Sequence, residues 1–316
     1  MEVLQYLSVV TPAAASGSVV IRLESYDLET NVIINTTVTG IAATATCSDI
    51  AKSIYTQINL SLAAATATFD TIVCPTQDMV AKFNVTRTDQ VLCIMSQCQF
   101  DAKIVSAPSG VNIDVGDNPI FLTVTEADDM SAVPEADCET GTALTTAEKI
   151  LWIKRASARL AAFLRNNIVL STYLHNDIAS GNGSVFVQKR PLANFFSPAI
   201  RYKYYTTYPT ALVYMVTRSR FYVGNRSIGE IADNEHQLLV DTRQPFNEGN
   251  EVIIAYTAGY QHLPMIIQEC AAKFSYFLST NGELKSESIE GISNDYRSIP
   301  EVLQGFVPFL REYRSK

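Results

Sequence analysis

The sequence predicts an α+β protein: a small N-terminal sheet domain with one covering helix, followed by a mainly helical C-terminal domain with a β insertion. Three observations predict it. β-branched runs with polar breaks fill most of the first 125 residues and frame one stretch of helical period. An acidic stretch over residues 126–143 then separates two regions of different charge. Beyond it, a capped and periodic helix precedes strand-like runs, and Pro264 opens the next helical stretch.

In the first region, Ser18–Ser25 and Asn31–Val38 are β-branched runs separated by the polar Tyr26–Thr30, as in a hairpin. Thr46–Asp49 supplies caps for a helix in which Ile50, Ile54, Ile58 and Leu62 recur at every fourth position. Strand-like runs follow at Thr68–Cys74, Val80–Thr86, Val91–Met95, Phe100–Val105 and Ile120–Thr125. The order ββα and then strands places the helix over one face of a sheet.

Residues 126–143 carry six acidic side chains, Pro134 and Gly141, with no apolar period. A stretch of that kind buries too little to offset its ordering entropy and is expected to be a linker. The expected division is therefore 1–125, an acidic appendage; 126–143, the linker; and 144–316, a second domain. Residues 1–143 hold 5 Lys+Arg against 17 Asp+Glu, whereas 144–316 hold 19 against 15, so a net of −12 faces one of +4. Tyrosine follows the same split, 3 against 12. As an outward appendage, the first domain is expected to be dispensable for assembly of the second.

In the second region, Thr145 and Glu148 form a capping-box pattern. Ile150, Ile153, Leu160, Leu164 and Ile168 make an apolar stripe, with Lys154, Arg155, Arg159 and Arg165 off it. Strands are expected at Ala211–Arg218, Arg220–Val223, Gln237–Val240 and Glu251–Tyr256, with turns at 224–225, 233–234 and 247–250. Gly259 ends the strand region. Pro264 opens a helix carrying Ile266, Cys270, Phe274 and Phe277, and Asn281-Gly282 closes it. Ser298 and Glu301 cap a last short helix, which Pro308 should stop. Phe309–Lys316 is then expected to protrude as a basic-aromatic tail.

The chemistry is sparse. His175, His236 and His262 show no metal-ligand spacing, and the six cysteines lack paired arms, so buried free thiols are the expected state. Asp128-Asp129 belongs to the acidic run, where solvation is the plain explanation. No nucleophile elbow, Walker loop or dinucleotide glycine motif occurs. The expectation is a protein without catalysis, cofactor or metal, and with neither a signal peptide nor a membrane span. A nucleic-acid-binding module is the alternative, built on the basic helix and on Tyr202, Lys203, Tyr204 and Tyr205, since aromatics interleaved with cations suit exposed bases. A net of +4 over that region is weak for a dedicated DNA binder, and tyrosine is equally at home in protein interfaces.

Five features fall in order after residue 144: a helix; the Pro-led β segment Tyr208–Val216; a strand ending in Tyr256-Thr-Ala-Gly-Tyr260; a helix started by Pro264; and Ser286-Glu-Ser-Ile-Glu-Gly291 ahead of a closing helix with an aromatic-basic end. In this order the chain resembles the head-to-tail connector (adaptor, or head-completion) proteins of tailed bacteriophages. The resemblance implies a structural virion protein, assembled in the host cytoplasm, that forms a ring of about twelve copies between portal and tail. Its partners would be further copies of itself, the portal, and the tail or next connector protein, with transient contact to packaged DNA. It further implies portal contact by Phe309, Leu310, Arg311, Tyr313, Arg314 and Lys316. Lys154, Arg155, Arg159, Arg165, Tyr202, Lys203, Tyr204 and Tyr205 become candidates for the subunit interface or the DNA channel.

Overall fold

The structure is a computed structural model. It describes residues 3–26, 31–64, 83–96, 99–136, 141–165, 168–178, 184–186, 189, 192–195, 199–201, 213–217, 220–223, 237–239, 251–281, 286–289, 292–295, 299–311 and 313. The class is mixed α+β with antiparallel sheets, as the patterning predicts. The first part runs β1 (Val3–Val9), β2 (Gly17–Tyr26), β3 (Asn31–Ile41), α1 (Cys47–Ala64), β4 (Phe83–Thr88), β5 (Val91–Ser96), β6 (Gln99–Ser106), β7 (Ile113–Gly116) and α2 (Val124–Asp129). Helix α3 (Thr146–Leu164) follows, then β8 (Ser171–Ile178), β9 (Ser184–Phe186), β10 (Leu192–Phe195), β11 (Ala199–Arg201), β12 (Val213–Thr217), β13 (Arg220–Val223), β14 (Gln237–Leu239) and β15 (Glu251–Ala258). The chain closes with α4 (Met265–Asn281), β16 (Ser286–Ile289), β17 (Ile292–Asp295), α5 (Ile299–Gly305) and α6 (Val307–Leu310).

The first part makes two antiparallel sheets, in the orders β4-β5-β1-β7 and β3-β2-β6. The expected hairpin over 18–38 is β2–β3. Ile50, Ile54 and Ile58 of α1 are fully buried and pack with Leu7, Ile21, Leu23 and Leu92 in one core. Their spacing of four keeps them on one helix face, so α1 is the expected covering helix. Each such side chain, withdrawn from water, contributes roughly 1.5–3 kcal/mol.

Alternation along β1 and β5 then decides how the two parts relate. Leu7, Val9, Leu92 and Ile94 face the α1 core, while Tyr6, Val10, Val91 and Cys93 enter a second core. That second core also holds Ile120, Phe121 and Leu122, together with Ile153, Leu160 and Leu164 of α3 and Ile267, Ala271, Phe274 and Leu278 of α4. Successive strand residues point to opposite faces, so a strand apolar on both faces belongs in the middle of a sandwich of elements. The sheet β4-β5-β1-β7 is that middle layer, and residues 1–125 share a core with 144–316. The expected independence of the appendage is corrected on this ground.

Two further expectations change. Residues 126–143 do not form a solvated linker throughout, because 126–129 complete α2 and Ala127, Ala132 and Val133 are buried in the second core. Ile120–Thr125 is not a strand. Thr123 caps α2, taking the Glu126 N–H at 3.1 Å while the Glu126 carboxylate takes the Thr123 N–H at 2.7 Å. This capping box overrides the β-branched composition before it. The run Thr68–Cys74 and the turns at 224–225, 233–234 and 247–250 lie outside the described residues, as does Ser298.

Among the later elements α3, β12–β15 and α4 match their signals, whereas β8–β11 and the β16–β17 pair are not expected from the sequence, and Ile168, expected on the α3 stripe, lies past the end of that helix. The Thr145–Glu148 capping box opens α3, and Ile153, Ala156, Ser157, Leu160 and Leu164 make its buried stripe. Strands β12, β13, β14 and β15 occupy the expected runs. β15 is central in its sheet, pairing with β8 over its whole length and with β10 and β11 on its other side. Helix α4 begins directly after Pro264 and ends at Asn281, and β16 pairs with β17 antiparallel.

Candidate functional site

The described surfaces that bear on function are the basic face of α3, the joint where β15 meets α4, and the end of the chain. On α3, the buried stripe sends the cations outward. Lys154 Nζ lies 2.6 Å from Asp114 Oδ1 of β7, and Lys149 pairs with Asp128 of α2 at the same distance. The Arg155 guanidinium stands 5.0 Å above the Trp152 ring. Arg159 is half-buried, and Arg165, just past the helix, is exposed. The charge contrast between the two regions is thus partly met within the chain, each exposed pair being worth at most about 1 kcal/mol. Tyr202, Lys203, Tyr204 and Tyr205 lie outside the described residues.

The joint is built from short-range geometry. Gly259 follows β15 with φ +117, and a Cβ there would stand 2.5 Å from the Val169 carbonyl oxygen. Only glycine fits, because both the backbone angle and the approach of the segment leading into β8 exclude a side chain. Next to it, the Tyr260 N–H donates to the Ile168 carbonyl at 3.0 Å. The β4–β5 turn closes on the same place. Thr88 Oγ1 donates to the Tyr260 carbonyl at 2.6 Å and accepts the Leu170 N–H at 2.8 Å, while Thr86 Oγ1 bonds the Leu170 carbonyl. Asp89 takes the Leu263 N–H at 2.7 Å and meets His262 Nδ1 at 2.8 Å. His262, expected as a surface or structural histidine, is 83% exposed and fills that structural role.

The chain end departs from the expected tail. Pro308 does not terminate a helix. The preceding helix stops at Gly305, and Pro308 lies in the first turn of α6, where a missing N–H costs nothing. Leu310 is fully buried, and the Tyr313 ring packs on that of Tyr260 with centroids 5.5 Å apart. Phe306 meets Phe274 edge-on at 6.4 Å. Of the residues assigned to portal contact, Phe309 is 57% exposed and Arg311 is exposed, whereas Leu310 serves the core and Tyr313 packs against it. Arg314 and Lys316 lie outside the described residues.

No described group of three or more His, Cys, Asp or Glu side chains is placed to hold a metal ion, and no described helix is long and apolar enough to cross a membrane. Cys47, Cys93 and Cys270 are buried free thiols. Burial pushes Cys47 and Cys93 up to about 12 and Cys270 to about 11, so none supplies a thiolate near neutral pH. For Cys93, hydrogen bonds to Ser171, Tyr6 and Thr86 only partly oppose the shift. No protein-family model matches this sequence, and no curated protein matches it.

Proposed function

We propose that this chain is a structural virion protein that forms a ring between portal and tail, through which DNA passes without a catalytic step. One observation carries the reading: the opening helix, the strand end at Gly259-Tyr260, the helix started by Pro264 and the closing helix, four of the ordered features of the connector resemblance, meet around a single core. The Tyr-x-Ala-Gly-Tyr segment is where β15 crosses the exit of α3, through Gly259 and Tyr260. Pro264 starts α4, and α4 carries α6. A linear order of weak motifs that also closes one core is better explained by shared architecture than by chance.

The exposed apolar residues fit self-assembly. Leu151 of α3, Met265 and Tyr276 of α4 and Phe309 of α6 are each 44–64% exposed on the unit that would form the ring. Aromatic and methionine side chains are enriched at such interfaces. Lys154 and Arg155, already engaged by Asp114 and Trp152, suit a channel wall of modest charge better than a tight DNA site. Electron microscopy of the purified protein, alone and with portal, tests the proposal. Rings that dock on the portal are expected; a strict monomer indifferent to the portal overturns it.

A further inference from the structure

Strand β3 has an open edge. In the order β3-β2-β6 it lies outermost, and among the described residues nothing pairs with its far side. The direction of its backbone groups follows from Gln5. That side chain accepts the Ala102 N–H at 2.9 Å and donates to the Phe100 carbonyl at 3.3 Å, so the even-numbered residues of β6 point away from β2. Antiparallel ladders alternate, and the alternation carries across the sheet. The backbones of Asp101 and Lys103 bond those of Glu24 and Arg22, and Leu23 and Ile21 then turn to Ile34 and Thr36. Ile33, Asn35 and Thr37 therefore direct their N–H and C=O groups outward. Their side chains lie on the face opposite the buried Ile34, Thr36 and Val38; Ile33 is 45% exposed, and Asn35 and Thr37 are exposed.

The other edges of these two sheets are guarded. Gln5 covers β6, which also carries the charged Asp101 and Lys103. β4 meets the start of β8, where the Thr172 hydroxyl donates to Asn84 Oδ1 at 2.6 Å. β7 is only 4 residues long and carries Asp114, which engages Lys154. Cover, charge and shortness are the usual means of keeping an edge from pairing with another chain. β3 has none of them: it runs for 11 residues, eight of them β-branched, with no charge and no proline. Its register shifts only beyond Val38. Nor does α1 close over the edge, since a groove of about 460 Å³ lies beside Val38 and Thr39, lined on α1 by Lys52, Ser53 and Thr56.

We infer that β3 pairs with β3 of a second copy of this chain, antiparallel about a twofold axis at Asn35. The outward residues then meet in hydrogen-bonded pairs, Ile33 opposite Thr37 of the partner subunit, Thr37 opposite Ile33 of the partner subunit, and Asn35 opposite its own twin. β-branched residues directly opposite each other support that register. An amide is donor and acceptor at once, so Asn35 can bond its twin, as neither a carboxylate nor an ammonium could. A foreign strand would gain the same backbone bonds, but an uncharged strand centred on an amide is what pairing with its like demands. Two three-stranded sheets join into one, and growth ends there because Gln5 covers the β6 strands at both outer edges. The inference goes beyond the ring reading and does not rest on it: a ring closes head to tail, whereas this contact pairs two chains, or two rings, across a twofold.

The test uses the full-length chain over about a hundredfold range of concentration, read by native mass spectrometry and amide hydrogen exchange. Paired chains are expected to accumulate with concentration, and exchange at Ile33, Asn35 and Thr37 to slow in step. Asn35→Glu and Asn35→Lys should each weaken pairing at least about tenfold, because like charges then face each other at the axis. Mixed in equal amounts, the two variants should pair again, one of each. Asn35 is exposed, so circular dichroism should show both variants folded as the wild type is. Exchange at 33–37 that ignores concentration, either variant pairing as tightly as the wild type, or a mixture that stays unpaired would each overturn the assignment. Protection that appears only when portal is added would place a foreign strand on the edge and overturn it as well. Rings that dock on the portal with β3 unprotected would leave the ring reading standing and remove this one.

Discussion

The Asp89 carboxylate accepts the Leu263 backbone N–H at 2.7 Å, joining residues 174 positions apart in the chain. Asp89 has φ 47 at the tip of the β4–β5 turn, a conformation that aspartate tolerates better than most side chains. Its other oxygen meets His262, and Thr86 and Thr88 add bonds to Leu170 and Tyr260. The N-terminal sheet is thereby fixed to both the start of β8 and the approach to α4. With Tyr6, Val91, Cys93 and Phe121 buried among α3 and α4, the two parts are expected to unfold together.

Residues 144–316 expressed alone should therefore not form a native domain. Removing 1–143 takes away the buried side chains of β1, β5, the 120–122 segment, Ala127, Ala132 and Val133 that share the core of α3 and α4. Each exposed core residue costs roughly 1.5–3 kcal/mol, and a domain's whole stability is about 5–15 kcal/mol. Near-ultraviolet circular dichroism and limited proteolysis would check this. A truncated protein with native-like tertiary signal and full protease resistance contradicts the shared core.

Gly259→Ala should destabilise the chain by about 3 kcal/mol, combining left-handed backbone strain with steric overlap. The added methyl would stand 2.5 Å from the Val169 carbonyl oxygen, and 2.8 Å from the Leu170 nitrogen. Backbone cannot give way as a flexible side chain can. Gly305→Ala is the control, since a Cβ there meets nothing within 4 Å. Urea unfolding of both variants measures the difference, which should lie almost entirely at position 259.

How far the sequence foretold this depends on the range of the interactions. Helices α1, α3 and α4 were legible because Ile50, Ile54 and Ile58, the Thr145–Glu148 box and Pro264 are local signals. β1 escaped notice because Val3–Val9 is apolar on both faces and so lacks the two-residue alternation of a half-buried strand. Helix α2 was hidden by acidic composition, although Thr123 and Glu126 carried the same capping box that was read at Thr145. The joint at Asp89 was not legible at all. It depends on residues distant in sequence meeting in space, and no local pattern encodes that.

Acid should weaken the start of α1 in a defined window. Hydrogen bonds from the Thr46 hydroxyl at 2.6 Å and the Thr46 N–H at 3.2 Å hold the Asp49 carboxyl below its ordinary 3.8. A folded pKa depressed below the unfolded one gives stability that is complete above the unfolded value. It is lost as pH falls through the folded value. The gap in unfolding temperature between the wild-type chain and Asp49→Asn should thus stay constant from about pH 7 to 5 and close below about pH 4. A gap that persists undiminished in acid would show that the charge of Asp49 contributes nothing.

Leu310 and Phe309 are neighbours in α6 with opposite surroundings. Leu310 is fully buried in the core that holds Phe274 and Phe306, so Leu310→Ala should cost about 2–5 kcal/mol through lost transfer energy and the cavity left behind. Phe309 is 57% exposed, and Phe309→Ala should change stability by about 0.5 kcal/mol or less. If the chain is a portal-binding ring protein, Phe309 is the aromatic anchor of that contact, and its loss should weaken portal binding by at least about tenfold. Thermal unfolding and portal co-sedimentation on the two variants give a crossed result: Leu310→Ala loses stability first, and Phe309→Ala loses binding alone. If Phe309→Ala binds portal as the wild type does, the contact lies elsewhere on the ring.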